Sequence, residues 1–191
     1  MRYRPEHKAK IHHKIVNDAA KQVRAEGLTG VAVSAVMRHA GLTHGGFYKH
    51  FGNKGELLVE SLREAFREMG DHLAHAAEQS QSETAWKTIV KTYLSPAHCE
   101  HPERGCPVAA LASELARADQ TMKGHIVEEV TKYKNRMLPF MPGRRAADKE
   151  RNFLVIFSTM LGAIGIARIL PDRAARARVL ASARDFLLDS F

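Results

Sequence analysis

Two cysteines in 191 residues leave no support for a disulfide framework, and the polar, basic start Met1-Arg2-Tyr3-Arg4-Pro5-Glu6-His7-Lys8 has no apolar core behind it to make a secretory signal. The cytoplasm is the expected compartment. Long hydrophobic runs are missing too: the longest uncharged stretch, residues 152–167, has 16 residues and includes an Asn, a Ser, a Thr and two Gly. That is short of the roughly 20 that a membrane span needs, so a buried helix and no membrane partner are expected. No segment alternates apolar and polar residues with period two, which removes a sheet from consideration. His-Glu-x-x-His, Gly-x-Ser-x-Gly, a phosphate loop and clustered carboxylates are also lacking. An all-α enzyme, metal-dependent through its 11 His, is the alternative these gaps argue against, and no cofactor is expected.

What is present is unevenly charged. Residues 1–54 carry 10 Lys and Arg against three acids, whereas the remaining 137 hold 19 basic and 18 acidic side chains, so nearly all of the net charge of +8 sits in the first quarter. Six of the 11 His lie there as well. A confined positive field suits a phosphate-facing module, because neutralising phosphates releases condensed counterions; the bland alternative is a solvated arm.

Apolar residues recur at spacings of three and four almost throughout, giving an all-α fold of about nine helices. The stripe Ile11, Ile15, Ala19, Val23 predicts a first helix over residues 7–26, ended by Gly27. Short helices follow near 33–40, stopped by Gly41, and from Thr43, whose hydroxyl is placed to cap free N–H groups. The fourth runs over about 54–79. Further stripes centre on Ile89, Leu111, Val130 and Leu180, and an eighth helix near 145–170 is apolar all round, so it must be covered on every side. All seven prolines fall at or outside these boundaries.

The segment from Val33 to Phe51 holds two short helices joined by a tight turn at Gly41, the geometry of a helix-turn-helix whose second helix enters the major groove. Val36, Leu42, Phe47 and Phe51 are spaced to bury that helix, leaving Thr43, His44, Gly45, Tyr48 and Lys49 on the other face. Gly45 and Gly46 are poor helix formers, each costing roughly 1 kcal/mol relative to Ala, and close approach of the backbone to DNA is a reason to keep them.

Gly41-Leu42-Thr43, Tyr48-Lys49-His50-Phe51-Gly52-Asn53-Lys54 and Glu56-Leu57-Leu58 resemble the TetR/AcrR family of transcriptional regulators, with its Gly-Val-Ser-x-Gly-x-x-Tyr-x-His-Phe-x-x-Lys-x-x-Leu-Leu pattern, over about residues 8–62. The resemblance implies that Thr43, His44 and Gly45 open the recognition helix, with Tyr48 and Lys49 on its exposed face. It implies that His50 and Lys54 clamp phosphate, Lys54 together with the N-terminal end of the fourth helix, and that Ser34 touches DNA. Val31 and Ala32 depart from the family, which usually has a Thr or Ser capping the second helix. The implied organisation is a DNA-binding domain over residues 1–53 and an effector-binding and dimerisation domain over 54–191. Its implied partners are double-stranded operator DNA, a small apolar or aromatic effector and a second copy of the chain, most often in a repressor.

In the remainder, Phe66, Met69, Trp86, Tyr93, Met122, Tyr133 and Met137, with Cys106, could line the effector pocket, although such a stripe is more often ordinary core. Gly105-Cys106-Pro107 looks like a branch of the family with the same start. Cys99 and Cys106, with His98 and His101, do not have zinc-site spacing, so no metal is expected and an inert Cys106 thiol is favoured. Gly162 and Gly165 make a small-residue surface on the eighth helix where a partner helix can approach, and Phe157 and Leu161, with Phe186 of the ninth, complete the expected dimer interface.

Overall fold

The computed structural model describes residues 5–81 and 84–191, so Arg2 and Arg4 of the basic start lie outside the described residues. Among the described residues every regular element is helical: α1 Pro5–Gly30, α2 Val33–His39, α3 Lys54–Glu78, α4 Ala85–Tyr93, α5 Pro96–Glu100, α6 Pro107–Arg117, α7 Gln120–Met137, α8 Ala146–Ile169 and α9 Arg173–Ser190. Three 3-10 segments join them, His44–Lys49, Pro102–Arg104 and Leu138–Phe140.

Local chemistry sets the boundaries. Asn53, Asp119 and Asp172 precede α3, α7 and α9, and their side-chain oxygens accept from Glu56 N, Met122 N and Ala175 N at 3.0, 2.8 and 2.8 Å. Ser95 caps α5 at His98 N, and Pro96 and Pro107 occupy the first turns of α5 and α6, where a missing N–H costs nothing. Helices as short as Pro96–Glu100 and Pro102–Arg104 show no period in the sequence. Gly27 breaks α1 as expected, at φ 82 and ψ 170. A further short turn to Gly30 follows, and there Leu28 N donates to the Glu114 carboxylate of α6 at 2.8 Å.

Two apolar clusters result. One joins Ile15, Val23, Val36, Phe47 and Phe51 to Leu57 and Leu62 at the start of α3 and to Leu111 and Leu115 of α6. The other fills the body between the rest of α3, α4, α7, α8 and α9. Helix α8 reaches by length and composition what a bilayer crossing needs, which the count of uncharged residues did not anticipate. One stripe of it, Phe153, Ile156, Phe157, Met160 and Ile164, is buried in the body, while Leu154, Val155, Ile166 and Ile169 are exposed.

Candidate nucleic-acid interface

The turn after α2 is fixed by its backbone. Gly41 takes φ +79, Gly41 N donates to Arg38 O at 3.0 Å and Leu42 N to Met37 O at 2.8 Å, the paired bonds of a Schellman cap that a residue with a Cβ would strain. The chain then enters the 3-10 segment His44–Lys49. Its ordinary α geometry is absent and the Thr43 hydroxyl makes no cap bond, which corrects the expectation of a Thr43-capped α-helix. Two consecutive glycines at 45 and 46 favour neither helix type, and the segment is held instead by its one buried side chain. Phe47 stacks on Phe51 at 5.4 Å, both buried. Leu42 is half-buried against the same cluster. At α2 the departure at Ala32 has the expected consequence: the helix starts with no side-chain cap, while Val31 is buried in the core.

Thr43, His44, Gly45, Tyr48 and Lys49 all stand on the solvent face, with Tyr48 70% exposed, so it is not a packing residue. Ser34 is exposed on α2. A Cβ added at Gly45 would meet nothing within 4 Å, and one at Gly46 would make ordinary contacts with Met37 Cε at 3.5 Å and Thr43 Oγ1 at 3.9 Å. Nothing in the protein's own packing requires these two glycines.

His50 follows at the edge of this face, half-buried, its Nδ1 buried without a hydrogen-bond partner. Burial, and then the neighbouring His12, Lys8 and Lys49, hold its pKa below the usual histidine value. His12 in turn stacks on Phe51 at 4.6 Å and meets the Glu60 carboxylate at 2.7 Å. Glu60 also lines a cleft of about 480 Å³ between α3 and α7; the one beside His50, of about 610 Å³, runs between α1 and the 3-10 segment and is lined by Lys8, Ile11, Gly41, Leu42, Thr43, Gly46, Lys49 and His50. Sequence reading missed Lys8 as a member of the site, since only its place on α1 opposite His50 reveals it. Lys54 opens α3, where Asn53 and Glu56 already answer some of the terminal donors: Glu56 N bonds Asn53 and Gly52 N bonds the Glu56 carboxylate at 2.7 Å.

The residues expected to line an effector pocket divide. Phe66, Met69, Trp86, Tyr93, Cys106, Tyr133 and Met137 are buried together in the body. Met122 is not with them: it is half-buried against the N-terminal cluster and lines the cleft between α3 and α7. Among the dimer residues, Phe157 faces inward, stacked on Phe153 and packed by Tyr133 at 5.3 Å each. The uniform apolarity of α8 hid which stripe is which. Gly162 and Gly165 border open space, Leu161 is half-buried, and Phe186 is 61% exposed on α9. No group of three or more potential metal ligands occurs among the described residues.

Head and body are tied through polar contacts that no sequence pattern announces. The Arg24 side chain of α1, fully buried, donates from Nη2 to Glu68 of α3 at 2.6 Å and from Nη1 to the Gly105 carbonyl at 3.4 Å. Beside Gly105, His98 spends both ring nitrogens: Nδ1–H donates to the Tyr93 carbonyl at 2.8 Å, and Nε2 accepts from Cys106 N at 2.9 Å. A Cβ at Gly105 would lie 2.6 Å from His98 Cδ2 and 2.9 Å from Arg168 Nη2, so the close approach of these groups requires glycine.

Comparison with known proteins places this geometry. Residues 15–60 match the family model described as bacterial regulatory proteins, tetR family. The HTH-type transcriptional regulator TtgR of Pseudomonas putida is 35% identical over 65 residues, 34% of this chain, and the matched part spans only 30% of that relative's length. Similar folds cover nearly the whole chain. A TetR transcriptional regulator from Chloroflexus aurantiacus superposes with a TM-score of 0.78 at 21% identity, over 96% of this chain and 95% of that one. The transcriptional regulator FadR from Bacillus subtilis, in complex with stearoyl-CoA, gives 0.68 at 15% identity over 94% and 98%. The head is thus similar in sequence to bacterial regulatory proteins of the tetR family, and the full architecture shares its fold with solved TetR regulators.

Proposed function

We propose that the chain acts in the cytoplasm as a homodimeric repressor rather than an enzyme, binding a pseudo-palindromic operator and leaving it when a small effector with an apolar or aromatic body enters residues 54–191. The observation that carries the reading is the exposed group Thr43, His44, Gly45, Tyr48 and Lys49, presented on a segment pinned by Phe47 and the Gly41 cap and flanked by Lys8 and His50. Gly45 and Gly46 let a DNA backbone or base edge come close, His50 and Lys54 supply phosphate contacts, and Ser34 adds one from α2. On this assignment residues 1–53 read DNA.

The exposed stripe of α8, with its glycines and with Phe186 of α9, supports an isologous dimer in which α8 and α9 pair with their symmetry mates. Two heads so joined address half-sites about 34–36 Å apart or somewhat more. The aromatic and thioether side chains of the body support an effector site, as does the fold neighbour described in complex with stearoyl-CoA. Release requires only that the effector prefer a conformer with the wrong head spacing, and the bonds Arg24–Gly105 and Glu114–Leu28 give such a preference a route to the head. Selection of bound fragments from genomic DNA, followed by binding of the selected site against random DNA over a salt series, tests the proposal. Equal affinity for both would refute an operator-binding regulator.

A further inference from the structure

Arg168 of α8 is a partly buried guanidinium, and among the described residues it belongs to none of the ion pairs. Its Nε and Nη2 donate to the carbonyls of Cys99 and His98 at 3.3 and 2.8 Å, while Nη1 is buried without a partner. Burial lowers its pKa, while the side chains of Tyr93, Cys99 and Cys106 and the Glu103 carboxylate act on it in the opposite direction without bonding to it. A desolvated cation whose hydrogen bonds go only to carbonyls is costly, and a counter-ion in direct contact would relieve it.

A second unanswered donor stands beside it. Tyr93 is wholly buried and its hydroxyl has no partner of good hydrogen-bond geometry, although the Cys106 thiol lies close enough to interact with it weakly. The Tyr93 ring lies edge-on to the His98 imidazole at 4.4 Å and Arg168 bonds the His98 carbonyl, so both residues adjoin His98. That imidazole cannot answer them. Its Nδ1–H and Nε2 are committed to backbone, and burial lowers its pKa to about 4, so it is neutral at pH 7. From the outside, a cleft of about 440 Å³ reaches His98 past Met69, His72, His101 and Arg104, the last two beside the Glu103 carboxylate. On the inside, Tyr93 adjoins the aromatic group of Phe157 and Tyr133.

We infer that the effector is an amphipathic organic anion, whose acidic head takes the free donors of Arg168 Nη1 and Tyr93 Oη by way of this cleft while its apolar part lies against the aromatic body. The inference rests on the effector reading above and names the chemical class of that effector. Two buried donors, one of them charged, call for an acceptor carrying negative charge, and a wholly polar anion would leave the adjoining aromatics unmatched.

The test uses the full chain, with benzoate, octanoate and dodecanoate as probes and benzamide, octanol and dodecanol as their neutral counterparts, followed by calorimetry and Trp86 fluorescence. At least one carboxylate is expected to bind saturably and about tenfold or more tighter than its counterpart, as a charge-assisted bond requires. Arg168→Gln should remove that advantage while leaving the neutral compound's affinity unchanged. Because Arg168 also holds two carbonyls, Tyr93→Phe is the second variant: it deletes only the unpartnered oxygen, so the free protein should keep its stability while carboxylate affinity falls several-fold. No carboxylate binding to the parent, equal binding of the neutral compounds, or parental affinity in a folded Tyr93→Phe and Arg168→Gln pair overturns the inference. Operator binding measured alongside separates the two claims. Carboxylate binding with this dependence that leaves operator affinity unchanged supports the site and refutes the effector reading, whereas operator release that survives both substitutions overturns the site alone.

Discussion

Replacing Arg24 by Met removes every polar tie that α1 sends into the body from that position while keeping an apolar stem of similar reach. Three acceptors lose a donor. The Ala20 carbonyl keeps its helical bond, so its loss costs little. Glu68 loses a 2.6 Å charge-assisted bond worth about 1.5–3 kcal/mol, but with its side chain 31% exposed it recovers part of that from water. The Gly105 carbonyl is left without its side-chain donor, and since that bond is long at 3.4 Å its loss sits at the low end of the roughly 1–3 kcal/mol range for an unanswered group. Against these, the buried guanidinium no longer has to be desolvated. The balance is a loss of about 2–3 kcal/mol, or roughly 4–12 °C in Tm for a chain of this size. Urea unfolding at fixed protein concentration reads it as a lower midpoint with unchanged slope. Glu68→Leu added to Arg24→Met should restore about 1 kcal/mol or more, since it removes the abandoned carboxylate. A single variant within about 0.5 kcal/mol of the parent would show that Arg24 is a solvated surface residue in effect and refute the tie.

Lys54→Ala should weaken binding to all DNA sequences and flatten the log-log salt dependence by about one unit, whereas Lys49→Ala and Thr43→Ala should change the ranking of operator variants; an unchanged slope, or equal loss on every variant, contradicts these roles. Gly162→Glu, placed on the open face of α8, should give a folded monomer in sedimentation with steeply reduced operator affinity, and an intact dimer removes α8 from the interface. His98 supplies a pH dependence. Its folded pKa, about 4, lies below the unfolded value of about 6.5, so protons favour the unfolded chain and stability is lost as pH falls from 6.5 to 4, by up to about 3 kcal/mol, with no further loss from this group below that. His98→Asn should flatten the unfolding free energy over that window, and a slope that persists assigns it to other groups.

The head was legible because its chemistry is local. Gly41, Phe47 and Phe51 each act on neighbours a few residues away, so spacing alone places them. The 3-10 form of His44–Lys49 was not, because two glycines give no preference between helix types and the decision falls to the seat of Phe47 in the core. In α8 the period fails for the opposite reason: with every face apolar, nothing in the letters distinguishes Phe157, packed on Tyr133, from Ile169, 81% exposed. Met122 matched the composition of the body's aromatic group but belongs to the other cluster, a fact of where α7 starts rather than of residue type. The Arg24, Gly105, His98 and Arg168 contacts join residues up to 81 positions apart and carry no motif.

The unit proposed to read DNA and the unit that folds do not share a border. Ile15, Val23, Val36, Phe47 and Phe51 are covered by Leu57 and Leu62 and, from far along the chain, by Leu111 and Leu115. A head cut at residue 53 would present that surface to water, and a chimera joined there would set one protein's head on another's lid. Grafting the head onto a new body should succeed only when the first turns of α3 travel with it and the recipient's α6 offers matching leucines. Exchange of heads between relatives is therefore a problem of fitting α6, and drift at Leu111 or Leu115 would isolate one lineage's heads from another's bodies while every residue proposed to face DNA stayed the same.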